Sequence, residues 1–267
     1  MTPSLTDETL ALAVADLARR DPDLARVVQR FGAPPLWARD PGFGTLVQII
    51  LEQQVSLASA RAAYERLLHA SGDGSPARVA ALDDATFRAA GVSRQKTRYI
   101  RLLAQAIVDG AFDPAALAAM EDEAARTELM KLKGIGAWSA DIYLLMALGR
   151  ADIWPSGDLA VIAAARELKR LRSSPSAVRL DRIGAAWRPW RAVAARILWH
   201  HYLSTPRTRT TVSAAKPPSR RTVAPSRRPA PKGRRSASRS RVPSRARAAG
   251  VSSTSTARRL RGGRTRV

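Results

Sequence analysis

The sequence predicts an all-helical body that is followed by a disordered basic tail. Up to Ser204, Ala, Leu and Arg dominate and alternating β-branched runs are scarce, which favours helices over strands. Residues 205–267 contain seven prolines, ten serines, one leucine and no aromatic residue. Such a segment cannot bury enough apolar surface to offset the entropy of ordering it. At 267 residues, the chain is long enough for one large domain or two small ones.

The first six predicted helices are separated by turn and capping residues. Asp21 followed by Pro22 starts the second helix, because aspartate is a good cap and proline is favoured in the first turn. The Gly- and Ser-rich stretch 71–76 ends the third helix. Within the third helix, Leu46 and Ile50 recur at a helical spacing, so one face is expected to be core. These helices are expected at 6–19, 22–31, 43–70, 76–81, 84–90 and 93–109.

The six remaining helices are punctuated in the same way. Asp113-Pro114 and Ser173-Ser174-Pro175 each place a polar residue before a proline, which marks the start of a helix. Asp158 stands directly before the apolar run LAVIAAAREL and predicts another start. These helices are expected at 113–119, 121–132, 137–148, 158–171, 175–186 and 189–203.

Positive charge is concentrated in the C-terminal part of the chain. The 45 Lys+Arg and 22 Asp+Glu residues give a net charge of +23. Residues 205–267 carry 19 basic residues and no acidic one, so the preceding 204 residues carry 26 basic and 22 acidic residues. A nearly balanced body with a cationic tail predicts a polyanionic partner.

The composition excludes several kinds of site. The absence of cysteine excludes disulfides, thiolate zinc sites, iron–sulfur clusters and cysteine nucleophiles. Only three histidines are present, which argues against a histidine-rich metal site, and we expect no metal site. No run of about 18 apolar residues occurs, so no membrane span is expected. The N-terminus has neither a basic start nor a small-residue cleavage site, so we expect a cytoplasmic protein without a signal peptide.

A pair of closely spaced glycines carries the most informative local pattern. Gly134 and Gly136 bracket Ile135 between two helical runs, and glycine permits a tight turn with positive φ at either position. Such a turn exposes backbone N–H groups at the start of the next helix, where a phosphate is favoured. Lys131 and Lys133 add positive charge beside it. An ordinary corner between two helices explains the same glycines, so this pattern alone is a weak indication of DNA binding.

Three ordered segments resemble the helix-hairpin-helix DNA glycosylase superfamily, and within it most closely the 3-methyladenine DNA glycosylase II branch. They are ILEQQVS at 50–56, the run from LKGIGAWSA through the Pro-Ser-Gly-Asp that ends at Asp158, and WRPWRAVAARILWHHYL at 187–203. The resemblance covers about residues 10–203 and implies a two-lobed helical fold with DNA in the cleft between the lobes. Within a body spanning 1–204, it implies one lobe around 43–148, a second from 1–42 and 149–204, and a hairpin at 126–148.

The resemblance places the catalytic carboxylate at Asp158. Asp158 is equally suited to cap its helix, and the two roles are compatible because a helix N-terminus favours negative charge. Breaking an N-glycosidic bond develops oxocarbenium character on the sugar, which a fixed anion stabilises while it orients or deprotonates the attacking water. Asp141 and Asp152 are the nearby competing carboxylates, and Asp141 is expected to be structural.

The base pocket is assigned by the same resemblance to Trp138 and Trp187. Most buried tryptophans are simply core, but an indole face attracts a cationic alkylated purine by roughly 0.5–2 kcal/mol. Related enzymes carry a tyrosine four residues after the hairpin tryptophan, where this chain has Ile142, so the neighbouring Tyr143 is the third pocket candidate. Bifunctional members have a lysine nucleophile where Trp138 stands, so the resemblance implies base removal without strand cleavage.

Gln54 lies where related enzymes insert a side chain into the gap left by the flipped base. Gln53 is the second candidate for this wedge. A polar patch at the end of a helix would also explain both glutamines.

These predictions combine into an enzyme that hydrolyses the N-glycosidic bond of alkylated purines in double-stranded DNA. We expect it to act as a monomer on the bacterial nucleoid and to need no organic cofactor, while the resemblance also allows a monovalent cation at the hairpin carbonyls. The alternative is a catalytically silent hairpin protein that compacts DNA through its tail. Asp158 and the tryptophan pair favour the enzyme. The sequence leaves open which alkylated or deaminated purine is preferred.

Overall fold

The computed structural model describes residues 4–206, and this part of the chain is helical, without a β-strand. The predicted all-helical body is therefore confirmed, whereas the predicted tail lies outside the described residues from 207 onward. A short 3-10 helix, Ala115–Ala119, follows the seventh α-helix. The α-helices are α1 Asp7–Arg20, α2 Pro22–Phe31, α3 Phe43–Glu52, α4 Leu57–Ser71, α5 Pro76–Ala80, α6 Asp84–Ala89, α7 Arg94–Val108, α8 Asp122–Lys131, α9 Ala137–Met146, α10 Leu159–Leu168, α11 Ala177–Ala185 and α12 Arg191–Ser204.

The predicted single helix over 43–70 is in fact two helices, α3 and α4. The break lies at residues 53–56, where Gln54 has a φ of 58° and Ser56 caps α4 by accepting a hydrogen bond from the backbone N–H of Ser59. The apolar spacing continues through the break, because Ile50 in α3 and Ala60 in α4 both face the core. A pattern of buried side chains therefore could not reveal it.

Helix packing divides the described helices into two sets. In the first set, α2 packs against α1 and α12, and α10 and α11 also pack against α12. In the second, α3 packs against α4, α7 and α9, α5 and α6 pack against α7, and α8 packs against α9. The buried side chains of both sets form one continuous apolar cluster. The boundaries of the two predicted lobes stay a prediction.

None of the helices between residues 4 and 206 is long and apolar enough to span a bilayer.

Candidate active site and DNA-contacting loops

Asp158 lies directly before α10, where its carboxylate receives four hydrogen bonds. Its Oδ1 atom accepts the backbone N–H groups of Ala160 and Val161, both at 2.9 Å, and so caps the helix. Two indole N–H groups also point at it: Trp199 Nε1 donates to Oδ1 at 3.0 Å and Trp138 Nε1 donates to Oδ2 at 2.9 Å. The residue is 9% exposed. One side chain thus combines a helix cap with a rigidly held negative charge.

The two oxygens of Asp158 differ in how much hydrogen-bonding capacity is left. A carboxylate oxygen offers about two acceptor sites. Oδ1 already takes three donors, whereas Oδ2 takes one from the protein. Oδ2 is therefore the atom that can accept a further hydrogen bond from a water molecule.

The hairpin between α8 and α9 has one glycine in a left-handed conformation. Gly134 has a φ of 93°, and a Cβ atom placed there would lie 2.3 Å from the ring of Tyr99. Ile135 is 4% exposed and anchors the turn in the core. Gly136 has an extended backbone, with φ −98° and ψ −177°, and provides no side-chain cap to the first turn of α9. The positive φ that the sequence allowed at either glycine is found at Gly134, and the N-terminal N–H groups of α9 have no side-chain cap.

The two lysines beside the hairpin have different surroundings. Both are exposed, but Lys131 Nζ forms an ion pair with Glu128 Oε2 at 2.5 Å. Lys133 has no ion-pair partner among the residues that the structure describes. Lys133 is thus the cation of the pair that is free to meet a phosphate.

The four residues at the α3–α4 break, 53–56, form what we call the wedge loop. Gln53 is partly buried, and its Nε2 donates to the Gly134 carbonyl at 2.9 Å and to Ser139 Oγ at 3.0 Å. Gln54 is exposed and has no hydrogen-bond partner within residues 4–206. The two wedge candidates are therefore distinct, since Gln53 ties the wedge loop to the hairpin and Gln54 projects into solvent.

Lys96 of α7 supports the wedge loop, a role that the sequence did not reveal. Its Nζ donates to the carbonyl of Leu51 at 2.7 Å and to that of Gln53 at 2.8 Å. Leu51 is in the last turn of α3 and Gln53 is its C-cap, where intrahelical partners for the carbonyls are missing. Burial lowers the pKa of Lys96. The sequence carries no signal for this contact, because its two sides are far apart along the chain.

The predicted role of Trp187 as a wall of the base pocket is corrected by the structure, because its ring is fully covered. It is 1% exposed, and its Nε1 donates to Asp21 Oδ2 at 2.7 Å. The Lys169 ammonium lies 5.7 Å from the ring centroid, and the Trp154 ring packs against it with centroids 5.3 Å apart. Of the two predicted pocket tryptophans, the structure therefore joins only Trp138 to Asp158 by a hydrogen bond.

Tyr143 is also a core residue rather than an open pocket wall. Its ring is 0% exposed, and its hydroxyl accepts the backbone N–H of Gly42 at 2.9 Å. Burial raises the pKa of this hydroxyl. Ile142 beside it is 3% exposed. Both side chains are thus used to pack α9.

The competing carboxylates are engaged in ion pairs. Asp141 lies in α9 and pairs with Arg126 of α8, which joins the two helices of the hairpin. Burial raises the pKa of Asp141 to about 6, against the lowering effect of the Arg126 guanidinium. Asp152 forms a bidentate pair with Arg191 at 2.8 and 3.0 Å and also pairs with Arg188. Neither geometry resembles that of Asp158.

The structure thus brings together a glycine hairpin and an aspartate at a helix start within an all-helical body, the features by which the sequence resembles helix-hairpin-helix DNA repair proteins. The family model for the HhH-GPD superfamily of base excision DNA repair proteins matches residues 47–189. That is more than half of the chain, and the chain belongs to this superfamily.

The relatives of the chain include proteins named as 3-methyladenine DNA glycosylases. DNA-3-methyladenine glycosylase 1 of Schizosaccharomyces pombe is 28% identical over 58% of this chain and 69% of the relative. A DNA-3-methyladenine glycosylase of Bacillus subtilis is 25% identical over 69% of this chain, and the match spans 65% of that relative, slightly less than two thirds. The solved structure of the 3-methyladenine DNA glycosylase of S. pombe in complex with abasic DNA aligns with a TM-score of 0.69 at 25% identity, covering 73% of this chain and 98% of that one.

Proposed function

We propose that this protein is a DNA glycosylase that removes alkylated purines from double-stranded DNA by hydrolysing the N-glycosidic bond. The observation that carries the proposal is the carboxylate of Asp158, held by four N–H donors and linked through Oδ2 to Trp138 of the hairpin helix. The names of the relatives support the reaction, and the S. pombe neighbour was solved with abasic DNA, the product of base removal.

Each step of the proposed reaction has a residue in a suitable place. The uncapped N–H groups after Gly136 and the free Lys133 receive a phosphate. Flipping the nucleotide out of the duplex costs a few kcal/mol, less for a damaged pair, and Gln54 fills the space that it leaves. The flipped base lies against Trp138, and Asp158 stabilises the positive charge that develops on the sugar and orients water at Oδ2. Because an alkylated purine is a good leaving group, this modest machinery suffices.

The proposed enzyme is monofunctional and acts as a monomer on the bacterial nucleoid in the cytoplasm. Strand cleavage would need a lysine amine at the site, but position 138 is tryptophan and Lys133 lies on the other side of the hairpin turn. Hydrolysis needs no organic cofactor. A monovalent cation at the hairpin would have to share the Gly134 carbonyl, which already accepts a hydrogen bond from Gln53.

The variant Asp158→Asn tests the proposal, because it removes the negative charge while keeping the shape and the capping oxygen. We expect the wild type to release methylated purines from alkylated duplex DNA, with strand breaks only after alkali. We expect Asp158→Asn to reduce the single-turnover rate by at least about 100-fold, as for loss of a major electrostatic contribution.

Asp181→Asn, the same change at an exposed residue of α11, is the matched control and should retain the wild-type rate. Rapid base release by Asp158→Asn would refute the role of Asp158. A wild type that binds duplex DNA tightly but releases no base would instead identify the silent DNA-compacting protein.

A further inference from the structure

Four arginines line a groove of about 590 Å³ along the N-terminal half of α7. We call it the arginine groove. Its only acidic lining residue is Asp84, which pairs with Arg101. The side chains of the other three arginines are exposed and have neither an ion pair nor a hydrogen bond within the part of the chain that the structure describes. The four arginines are Arg88, Arg94, Arg98 and Arg101.

The positive charges of Arg94 and Arg98 do not stabilise α7. Arg94 lies in the first turn of α7, which contains no acidic residue, and a cation at a helix N-terminus is unfavourable by a few tenths of a kcal/mol or more. Arg94 and Arg98 are four residues apart on one face, where like charges repel. An anion bound in the groove would offset both the unfavourable helix dipole at Arg94 and the repulsion between Arg94 and Arg98. Packing within the fold gives no comparable explanation for these side chains.

The groove shares α7 with the contacts that support both loops assigned to DNA by the proposed function, although no residue of either loop lines it. Lys96 of α7 donates to the Gln53 carbonyl of the wedge loop. Tyr99, one turn further along, packs under Gly134 of the hairpin. Ser93, the cap of α7, lines the arginine groove and also the neighbouring cavity that contains Gln54. Both loops thus rest on the first two turns of the helix that carries the groove.

We propose that the arginine groove binds the phosphate backbone of the DNA duplex beside the flipped nucleotide. The inference rests on the proposed function, which supplies DNA as the partner and the position of the flipped nucleotide. Guanidinium groups form paired hydrogen bonds with phosphate oxygens, so three unpaired arginines in one groove fit a run of phosphates. The groove would hold the duplex while Gln54 and the hairpin act on the damaged nucleotide.

The test compares two double variants of the full chain that lose the same charge. Arg94→Gln/Arg98→Gln removes two groove cations, and Arg179→Gln/Arg182→Gln removes two exposed cations of α11. Affinity for a duplex carrying a non-cleavable abasic analogue is measured from low to moderate salt. Because each phosphate contact contributes roughly −0.9 to the slope of log K against log salt, the groove variant should have a slope about two units shallower. The α11 variant should keep the wild-type slope.

A second measurement identifies the partner of the groove. Neutral methylphosphonate linkages are placed one at a time along both strands near the lesion analogue. We expect one or two positions at which the neutral linkage weakens binding of the wild type but not of the groove variant. Equal slopes for the two double variants, with no coupled linkage, would overturn the inference. It would also be overturned if a polyglutamate peptide bound the wild type but not the groove variant while DNA affinity was equal, since this would show a protein-docking site.

The outcome is separable from that of the proposed function. A wild type that releases no base refutes the glycosylase, yet the slope difference and the coupled phosphate would still assign the groove to DNA. Conversely, if the wild type releases bases but the two double variants have identical salt slopes, the proposed role of the arginine groove is refuted while the glycosylase proposal stands.

Discussion

Four N–H groups converge on Asp158, and only two of them come from its own helix. The other two belong to Trp138 in α9 and Trp199 in α12, so three helices fix the orientation of one carboxylate. Trp199 is 7% exposed, and its ring contacts that of Trp37 edge-on, with centroids 6.4 Å apart. A carboxylate held in this way needs little reorganisation when positive charge develops beside it.

Trp199→Phe should slow base release without abolishing it. The change removes one hydrogen bond to Oδ1 and keeps an aromatic ring in the core. A bond of this kind to a charged group contributes about 1.5 kcal/mol, so we expect the single-turnover rate to fall roughly 10-fold. The rate is measured well below the melting temperature of both proteins. Trp190→Phe, at a partly buried tryptophan without such a bond, is the control. An unchanged rate for Trp199→Phe would show that this indole only packs.

Asp141 should make stability depend on pH between about 4 and 6. Its pKa is raised to about 6 by burial, above the ordinary value of 3.8. The folded state therefore keeps a proton that the unfolded state loses in this window, so this group's contribution to stability falls as pH rises through it and is constant above pH 6. Asp141→Asn removes this dependence.

The free energy of unfolding of Asp141→Asn, minus that of the wild type, should increase by up to about 3 kcal/mol from pH 4 to pH 7. Urea unfolding at both pH values measures the difference. Asp181→Asn, at an exposed position, should show no such trend. A flat difference for Asp141→Asn would mean that Arg126 compensates the burial of the carboxylate.

At the level of elements, α7 connects the loops that are proposed to meet DNA. It holds the wedge loop through Lys96 and supports the hairpin through Tyr99. Gln53 closes the arrangement by donating to Gly134. Because the two loops are joined directly and through one helix, we expect a change in the hairpin turn to displace the wedge loop as well.

The two hairpin glycines should respond differently to alanine. Gly134→Ala places a Cβ 2.3 Å from the Tyr99 ring in a left-handed conformation, whereas nothing lies within 4 Å of a Cβ at Gly136. We expect Gly134→Ala to lower the free energy of unfolding by about 3 kcal/mol, from backbone strain and overpacking, and to weaken DNA binding. Gly136→Ala should change stability by less than about 1 kcal/mol. Urea unfolding of both variants checks this, and equal losses would contradict the described turn.

At the scale of the whole molecule, most of the net positive charge lies in a different part of the chain from the described apolar core. The apolar cluster of the described residues extends from Leu5 to Trp199, whereas residues 205–267 contribute 19 positive charges. A segment of that composition is suited to hold the proposed enzyme near DNA by counterion release. The alternative is that it docks a protein.

Deletion of residues 205–267 should weaken DNA binding in a salt-dependent way. If about a third of the tail charges meet phosphates, the slope of log K against log salt should become roughly five units shallower. The melting temperature of the 1–204 chain should hardly change, because the apolar cluster of the described residues lies within it. Titrations of undamaged duplex DNA at several salt concentrations measure the slope, and equal slopes for the two chains would exclude the electrostatic tether.

Several features of this protein could be predicted from the sequence alone, because they depend on local chemistry. The helical body, the cap at Asp158, the turn at Gly134 and the separation of charge from core depend on residue types and on neighbours a few positions away. Such features are determined by backbone conformational preferences and composition, which a single sequence displays directly.

Tertiary structure decided the features that depend on distant partners. Lys96 contacts Gln53 across 43 positions, and Trp199 contacts Asp158 across 41. Contacts with distant residues are the reason that Gln53 is held in place while Gln54 is free. They also fix the orientation of the Asp158 carboxylate. The burial of Trp187, whose indole N–H is taken by Asp21 166 positions away, is likewise decided by which surfaces the packed helices cover. A linear pattern carries no record of those surfaces, because burial is a property of the packed helices rather than of their spacing along the chain.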